Sequence, residues 1–231
     1  MADAPKAEEW AAEYKRMSEV ARELSTPTET LVRLFKGDYV PGMPKVYDGM
    51  RALDVSCGSA NNTFFLCDLG LEAYATEIHT DICGDVKRRA ELSGRQLDVR
   101  VGTNCKLPFE DNFFDFLVSW NVLHYENTEE NIRRGIAEYA RVLKPGGRIF
   151  LSTTGPEHKI LLGARTVGAH LYEIGREEDF RKGERFFYFD APNYLRYYFE
   201  PVFNEVMIGR IHDQLFTEVL DWWLVTGRKP T

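Results

Sequence analysis

Apolar residues recur along this chain at two periods. Near the start, Trp10, Tyr14, Met17, Ala21 and Leu24 fall on one helical face and predict a helix over residues 7–24. Thr26-Pro27-Thr28-Glu29 then predicts a second helix start. Thr26 is its expected cap, Pro27 suits the first turn, and Glu29 would close a capping box. Leu31, Leu34 and Phe35 would carry that helix onto the core. The stretch from Gly37 to Gly49, with Pro41-Gly42-Met43-Pro44, reads as a loop. Residues 1–49 are thus expected to form an N-terminal helical flap.

From residue 50 the pattern alternates. Short apolar runs at 52–55, 73–77, 97–101, 114–119 and 148–153 read as strands. Between them, 61–69, 80–92 and 128–143 carry helical periodicity, with Ile132, Ile136, Tyr139, Ala140 and Leu143 on one face of the last. Lys144-Pro145-Gly146-Gly147 reads as a stop and turn. The run from Phe114 to Ser119 suits a strand buried on both faces. Such alternation implies a doubly wound, mostly parallel sheet. The tail differs. Residues 155–185 are polar and read as a surface excursion, and 155–200 as a lid on the substrate side. Asp190 is expected to cap a short helix ending near Phe199. Residues 202–211 and 218–227 read as two closing strands with a turn near Asp213. The expected fold is α/β: a seven-stranded, Rossmann-like sheet over 50–231, preceded by the flap.

Composition narrows the function. The chain has 231 residues, 44% of them apolar and 28% charged, which suits one well-buried domain. A net charge of −7 argues against a general nucleic-acid binder. No apolar run is long enough to span a membrane, and the first residues lack a basic start and an apolar core, so neither a span nor a signal peptide is expected. Four separate cysteines without a CxxC fit a reduced, cytoplasmic setting, and no His/Cys cluster has zinc-ligand spacing.

The candidate chemistry lies at strand ends, where open α/β sheets bind ligands. Asp54-Val55-Ser56-Cys57-Gly58-Ser59-Ala60 joins a strand to a helix through small residues. Backbone can approach a ligand there, and the helix start offers free N–H groups. Only Gly58 is glycine where a dinucleotide loop would hold three. Glu77 lies 23 positions after Asp54. An acidic residue there can accept both ribose hydroxyls, from NAD or S-adenosylmethionine alike, or it can be an ordinary solvated glutamate.

Four segments separate these readings. Leu53-Asp54-Val55-Ser56-Cys57-Gly58-Ser59-Ala60 matches LDxGCGxG, and Leu107-Pro108-Phe109 is followed by Phe114-Asp115. Val122-Leu123-His124 follows the fourth strand, and Arg141-Val142-Leu143-Lys144-Pro145-Gly146-Gly147 precedes the fifth. In this order, over residues 50–155, the chain resembles the class I S-adenosylmethionine-dependent methyltransferases of the small "type 11" kind. The resemblance implies the cofactor S-adenosylmethionine. It places Asp54, Ser56, Cys57 and Gly58 under the methionine end, Glu77 on the ribose, and Ile78 with Thr103, Asn104 and Cys105 around the adenine. Thr103 or Asn104 would supply the adenine-amino acceptor that relatives take from an aspartate. Trp120 and Asn121 would lie near the methionine moiety, and His124 and Tyr125 near the transferred methyl.

The chain departs from the family at Ser56 and Ala60, which replace glycines. A positive φ at either would cost about 1 kcal/mol or more. His124 is the candidate base, because imidazole titrates near neutrality; it can equally be a packed residue. Trp10, Tyr14 and Tyr188 are expected to cover the acceptor. The activity so implied is methyl transfer to an O or N atom of a small metabolite, without nucleic acid. A catalytically inactive scaffold is the alternative. An NAD-dependent oxidoreductase would share the first loop and Glu77 but leaves the other segments unexplained.

Overall fold

The computed structural model describes residues 7–19, 26–177 and 179–231. The chain divides into two compact units. Unit one comprises Met1–Thr103 with Phe114–Phe116, and unit two comprises Asn104–Phe113 with Leu117–Thr231.

Unit one holds α1 (Ala7–Glu19), α2 (Glu29–Lys36), β1 (Arg51–Val55), α3 (Asn61–Asp68), β2 (Glu72–Glu77), α4 (Thr80–Leu92) and β3 (Asp98–Val101). The strand β4 (Phe114–Trp120) starts there and continues into unit two. Unit two adds a 3-10 turn at Leu123–Tyr125, α5 (Glu129–Val142), β5 (Leu143–Thr154), a second 3-10 turn at Lys159–Leu161, β6 (Arg165–Gly168), β7 (Leu171–Glu173), β8 (Arg185–Phe187), α6 (Pro192–Phe199), β9 (Asn204–Leu215) and β10 (Glu218–Arg228). The seven-stranded sheet runs β3-β2-β1-β4-β5-β10-β9. β1 pairs parallel with β2, and β2 with β3, while β10 runs antiparallel to both β5 and β9. This is the mostly parallel, Rossmann-like sheet that the alternating pattern predicts.

In unit one, β1 buries Ala52, Leu53, Asp54 and Val55 in succession, as a strand covered on both faces must. The helix α4 lays Ile82, Cys83, Val86 and Ala90 against Ala60, Ala75 and Val99. The segment before β1 packs on this unit through α2. Phe35 of α2 meets Phe65, Phe116 and Tyr47 at centroid distances of 6.1, 5.4 and 5.6 Å, and the Tyr47 hydroxyl donates to the Phe35 carbonyl at 2.6 Å. The start of α2 lies later than the sequence suggests. Its N-cap is Thr28, whose side chain caps nothing, and the expected Thr26 capping box does not form. The Thr28 N–H instead donates to Asn62 Oδ1 at 2.9 Å, a contact that a local pattern cannot reveal. Of the predicted first helix, residues 20–24, with Ala21 and Leu24, lie outside the described residues.

In unit two, Thr128 caps α5 by accepting the Asn131 N–H at 3.1 Å. Lys144-Pro145-Gly146-Gly147 is not a free turn but the opening of β5. The end of β10 holds it there. The Gly146 N–H donates to the Lys229 carbonyl at 2.9 Å, and Lys229 Nζ reaches the Leu143 carbonyl at 2.8 Å. Arg141 ties two of the sequence segments together, donating to the Leu107 and Phe109 carbonyls at 3.1 and 2.9 Å.

The expected excursion over 155–185 is partly built: β6, β7 and β8 form a three-stranded antiparallel sheet. Phe186, Phe187, Tyr188 and Phe189 are buried, so this run is core. Ala191, not Asp190, precedes α6, with Pro192 at its first turn and no side-chain cap. The closing hairpin turns at 216–217, beyond the expected Asp213, because β9 extends to Leu215.

Candidate functional site

In unit one the β1–α3 loop and the end of β2 are joined through one carboxylate. Glu77 Oε1 accepts the Gly58 N–H at 2.6 Å, and Oε2 accepts the Ile78 N–H at 2.9 Å. Glu77 is 3% exposed, and burial raises its pKa while the two N–H bonds oppose that rise. The Cys57 N–H donates to the Thr76 carbonyl at 3.0 Å, which holds the loop against β2. Between Ser56 and Ala60 the chain enters the left-handed region three times, with φ of 53°, 55° and 61° at Ser56, Gly58 and Ala60. The strain that the two non-glycines raised as a question is therefore present. A Cβ on Gly58 would come within 2.6 Å of Tyr14 Oη, so α1 lies directly over this loop. Trp10 packs beside Tyr14, with ring centroids 6.1 Å apart.

Asp54 lies beneath the loop, 2% exposed. Thr63 Oγ1 donates to its Oδ2 at 2.6 Å. Burial is the main cause that pushes its pKa up to about 7; the Thr63 bond opposes this, and the Glu77 charge adds to it. Cys57 is half-buried, and burial drives its thiol well up, so it stays protonated at neutral pH. Ile78 packs on the α4 cluster, and Thr103 is half-buried at the end of this unit. Sequence reading missed Thr63 and Arg89. Arg89 Nη1 donates to the Ser59 carbonyl at 2.5 Å from a full helix away, with no local signal.

Unit two holds the remaining expected residues. Asn104 is buried, and its Oδ1 accepts the Tyr139 hydroxyl at 2.5 Å while its Nδ2 donates to Glu126 at 3.0 Å. Tyr139 also meets Ser119 Oγ at 3.0 Å. Asn104 therefore anchors a buried network through both ends of its amide. Cys105 is a partly buried thiol that donates to the Asn131 carbonyl at 3.4 Å, with its pKa pushed up to about 12 by burial. Trp120 ends β4 half-buried, and Asn121 follows at φ 60° with its N–H on Ser152 Oγ at 2.9 Å.

His124 sits on the 3-10 turn, 1% exposed, with Nδ1 3.4 Å from Thr153 Oγ1. Burial, and then the charges of Arg181 and His158, push its pKa down to about 3. It is a neutral imidazole at physiological pH and a far weaker base than the sequence suggests. The Tyr125 ring lies 4.3 Å from it, tilted by 42°, and its hydroxyl accepts from Arg181, which is paired in turn with Asp179. Tyr188 is buried in a cluster with Ile160, Ile174 and Phe186, edge-on to Tyr172. Its ring is held by packing in this state.

Among the described residues, one group has ligand atoms close enough to hold a metal: Glu157, His212 and Asp221. Arg210 already fills it, donating to Asp221 at 2.7 and 2.9 Å and to Glu157 at 2.6 Å. The group works as an ion-pair node.

A strand order of 3-2-1-4-5 with an antiparallel hairpin at its edge, and an acidic residue closing the second strand over the first loop, define a nucleoside-cofactor fold of the methyltransferase type. Residues 53–151 match the family model described as "Methyltransferase domain". The mouse (Mus musculus) protein named "Probable tRNA methyltransferase 9B" is 30% identical over 146 residues, covering 63% of this chain and 29% of that one. "Ubiquinone biosynthesis O-methyltransferase" of Brucella anthropi is 27% identical over 143 residues, covering 58% of this chain and 56% of that one. The chain thus spans less than a third of the mouse relative and little more than half of the bacterial one. The crystal structure of a SAM-dependent methyltransferase from Methanosarcina mazei superposes with a TM-score of 0.70 at 17% identity, over 88% of this chain and 99% of that one. Residues 53–151 thus resemble a methyltransferase domain, and the sheet has the fold of that archaeal enzyme; together they point to the class I S-adenosylmethionine-dependent methyltransferases. The cofactor of that class is S-adenosylmethionine. The residues of unit one fit it: a loop already bent into the left-handed region, small side chains, and a carboxylate whose two oxygens each keep a further lone pair.

Proposed function

We propose that this chain transfers a methyl group from S-adenosylmethionine to an oxygen or nitrogen atom of a small metabolite. The observation that carries this reading is the Glu77 bridge, which fixes the Gly58 and Ile78 amides beside a buried carboxylate suited to two ribose hydroxyls. Glu77 would hold the ribose, the Ser56–Ala60 backbone the amino-acid end, and Ile78 and Thr103 the adenine. The cofactor supplies an activated methyl on a sulfonium, so the protein's task is alignment and exclusion of water. Trp10 and Tyr14, on the helix over the loop, exclude water there. His124 is neutral and buried, and its role is to hold the turn after β4; an acceptor whose nucleophilic atom is already deprotonated suits it best.

A second reading takes tRNA as the acceptor. The mouse relative's name favours it, and the net charge of −7 weighs against it. Isothermal titration with S-adenosylhomocysteine tests the common part; no binding at millimolar ligand would sink both readings. Methyl transfer from labelled cofactor into a protein-free metabolite fraction, set against total tRNA, separates the two. Label confined to tRNA would overturn the small-metabolite reading.

A further inference from the structure

One buried polar cluster in unit two has no part in methyl transfer as described so far. It lies at the end of β5, where Thr154 pairs across the antiparallel ladder with Trp222. Directly opposed residues of such a pair share a face of the sheet. His158 follows on the loop after β5, 5% exposed, and its ring lies 4.1 Å from that of Trp222. His124 borders the same indole at 6.1 Å.

The hydrogen bonds of His158 fix its tautomer. Nδ1 accepts the Ile160 N–H at 3.0 Å, so Nδ1 carries the lone pair and the ring proton sits on Nε2. Burial, followed by the Lys159 and Arg181 charges, lowers its pKa to about 4, which keeps the ring neutral. Nε2 is then a donor, and it has no hydrogen-bond partner. Thr154 Oγ1 is likewise buried and without a partner. Native proteins leave few buried polar atoms unsatisfied, and each one calls for an explanation, such as strain, a functional role or a bound water or ion. Both atoms lie near one indole: Thr154 is opposed to Trp222 across the ladder, and the His158 ring is 4.1 Å from it. Nε2–H supplies a donor, the threonine hydroxyl a second, and Trp222 a face to stack on.

We propose that His158 and Thr154 form the acceptor-recognition point of this protein, donating to a carbonyl or carboxylate oxygen on a planar ring that lies against Trp222. The inference rests on the methyl-transfer reading for the identity of the guest as the methyl acceptor. His158 is a positioning residue: it fixes the ring and takes no part in bond making.

The test uses the full chain without cofactor and three probes: benzoate for a carboxylate, uracil for ring carbonyls, and benzene as a ring without oxygen. Long-range 1H–15N spectra report the His158 imidazole. Benzoate or uracil moves the Nε2 resonance and benzene does not; the tighter of the two shows which oxygen chemistry is preferred. Two variants divide the roles of the ring. His158→Asn keeps an acceptor where Nδ1 lies, and so the cap on Ile160, but removes the donor. His158→Gln places an amide N–H where Nε2 lies. His158→Asn is expected to keep the wild-type melting temperature and lose about tenfold or more in probe affinity, and His158→Gln to stay within about threefold. Wild-type affinity in His158→Asn overturns the proposal. So does an Nε2 resonance that no probe moves, which would leave Nε2–H facing the Trp222 ring alone. S-adenosylhomocysteine is titrated in parallel. Probe binding without cofactor binding would sink the methyl-transfer reading and leave the recognition point standing; the converse would do the opposite.

Discussion

The buried titratable groups of unit one are carboxylates, Asp54 and Glu77; those of unit two include two imidazoles, His124 and His158. Burial pushes the first pair up and the second pair down, so both sites favour uncharged side chains. The supports differ. Both carboxylates are met by donors: Thr63 for Asp54, and two backbone amides for Glu77. The imidazoles are held by rings and a single bond each, and one nitrogen of His158 has no partner. Unit one is thus a loop braced by hydrogen bonds to buried carboxylates, and unit two surrounds its imidazoles with aromatic rings.

The largest expected effect is on pH. The folded pKa of Asp54, about 7, lies above the usual carboxylate value, so its contribution is present below about pH 4 and lost as pH rises through 7. Asp54→Asn should therefore raise stability by a few kcal/mol at pH 8 and by nothing at pH 4, read from denaturant unfolding at each pH. For His124 the sign reverses. Its folded pKa, about 3, lies below the usual imidazole value, so the wild type should lose stability as pH falls from about 6.5 towards 3. A His124 ring resonance that titrates between pH 7 and 5 would erase the contrast between the units.

Next comes the loop. Gly58→Ala puts a side chain at φ 55° and against Tyr14 Oη, and should cost about 2 kcal/mol in chemical denaturation. Ala60→Gly relieves strain at φ 61° and should stabilise by about 0.5–1 kcal/mol. Opposite signs two residues apart would locate the strain in the cradle itself. In unit two, Tyr139→Phe leaves the Asn104 carbonyl and Ser119 short of a partner and should cost about 1–2 kcal/mol by thermal unfolding.

Much of unit one was legible in the sequence. The small-residue loop, Glu77 and the alternating elements are local patterns, and β1 to β3 formed within a residue or two of where they read. Three kinds of feature were not legible. Long-range pairing drew Lys144-Pro145-Gly146-Gly147 into β5 through Lys229, at the far end of the chain. Strands of three or four residues, β6 to β8, are too short for periodicity to register. Burial of polar groups left no trace in spacing: His124 stayed open between a base and a packed residue, and Asn104 read as an acceptor for a ligand rather than the partner of Tyr139. Ser56 and Ala60 are the instructive case. Their identity raised the question of positive φ, and only the structure answered it.

That the Glu77-braced loop holds S-adenosylmethionine is tested most directly by calorimetric titration of S-adenosylhomocysteine into the wild type and Glu77→Ala. Saturable binding to the wild type is predicted, with a loss of about tenfold to a hundredfold in the variant, as expected for two hydrogen bonds to a charged group. Equal affinity in the two proteins, or no heat from the wild type at millimolar ligand, would contradict it.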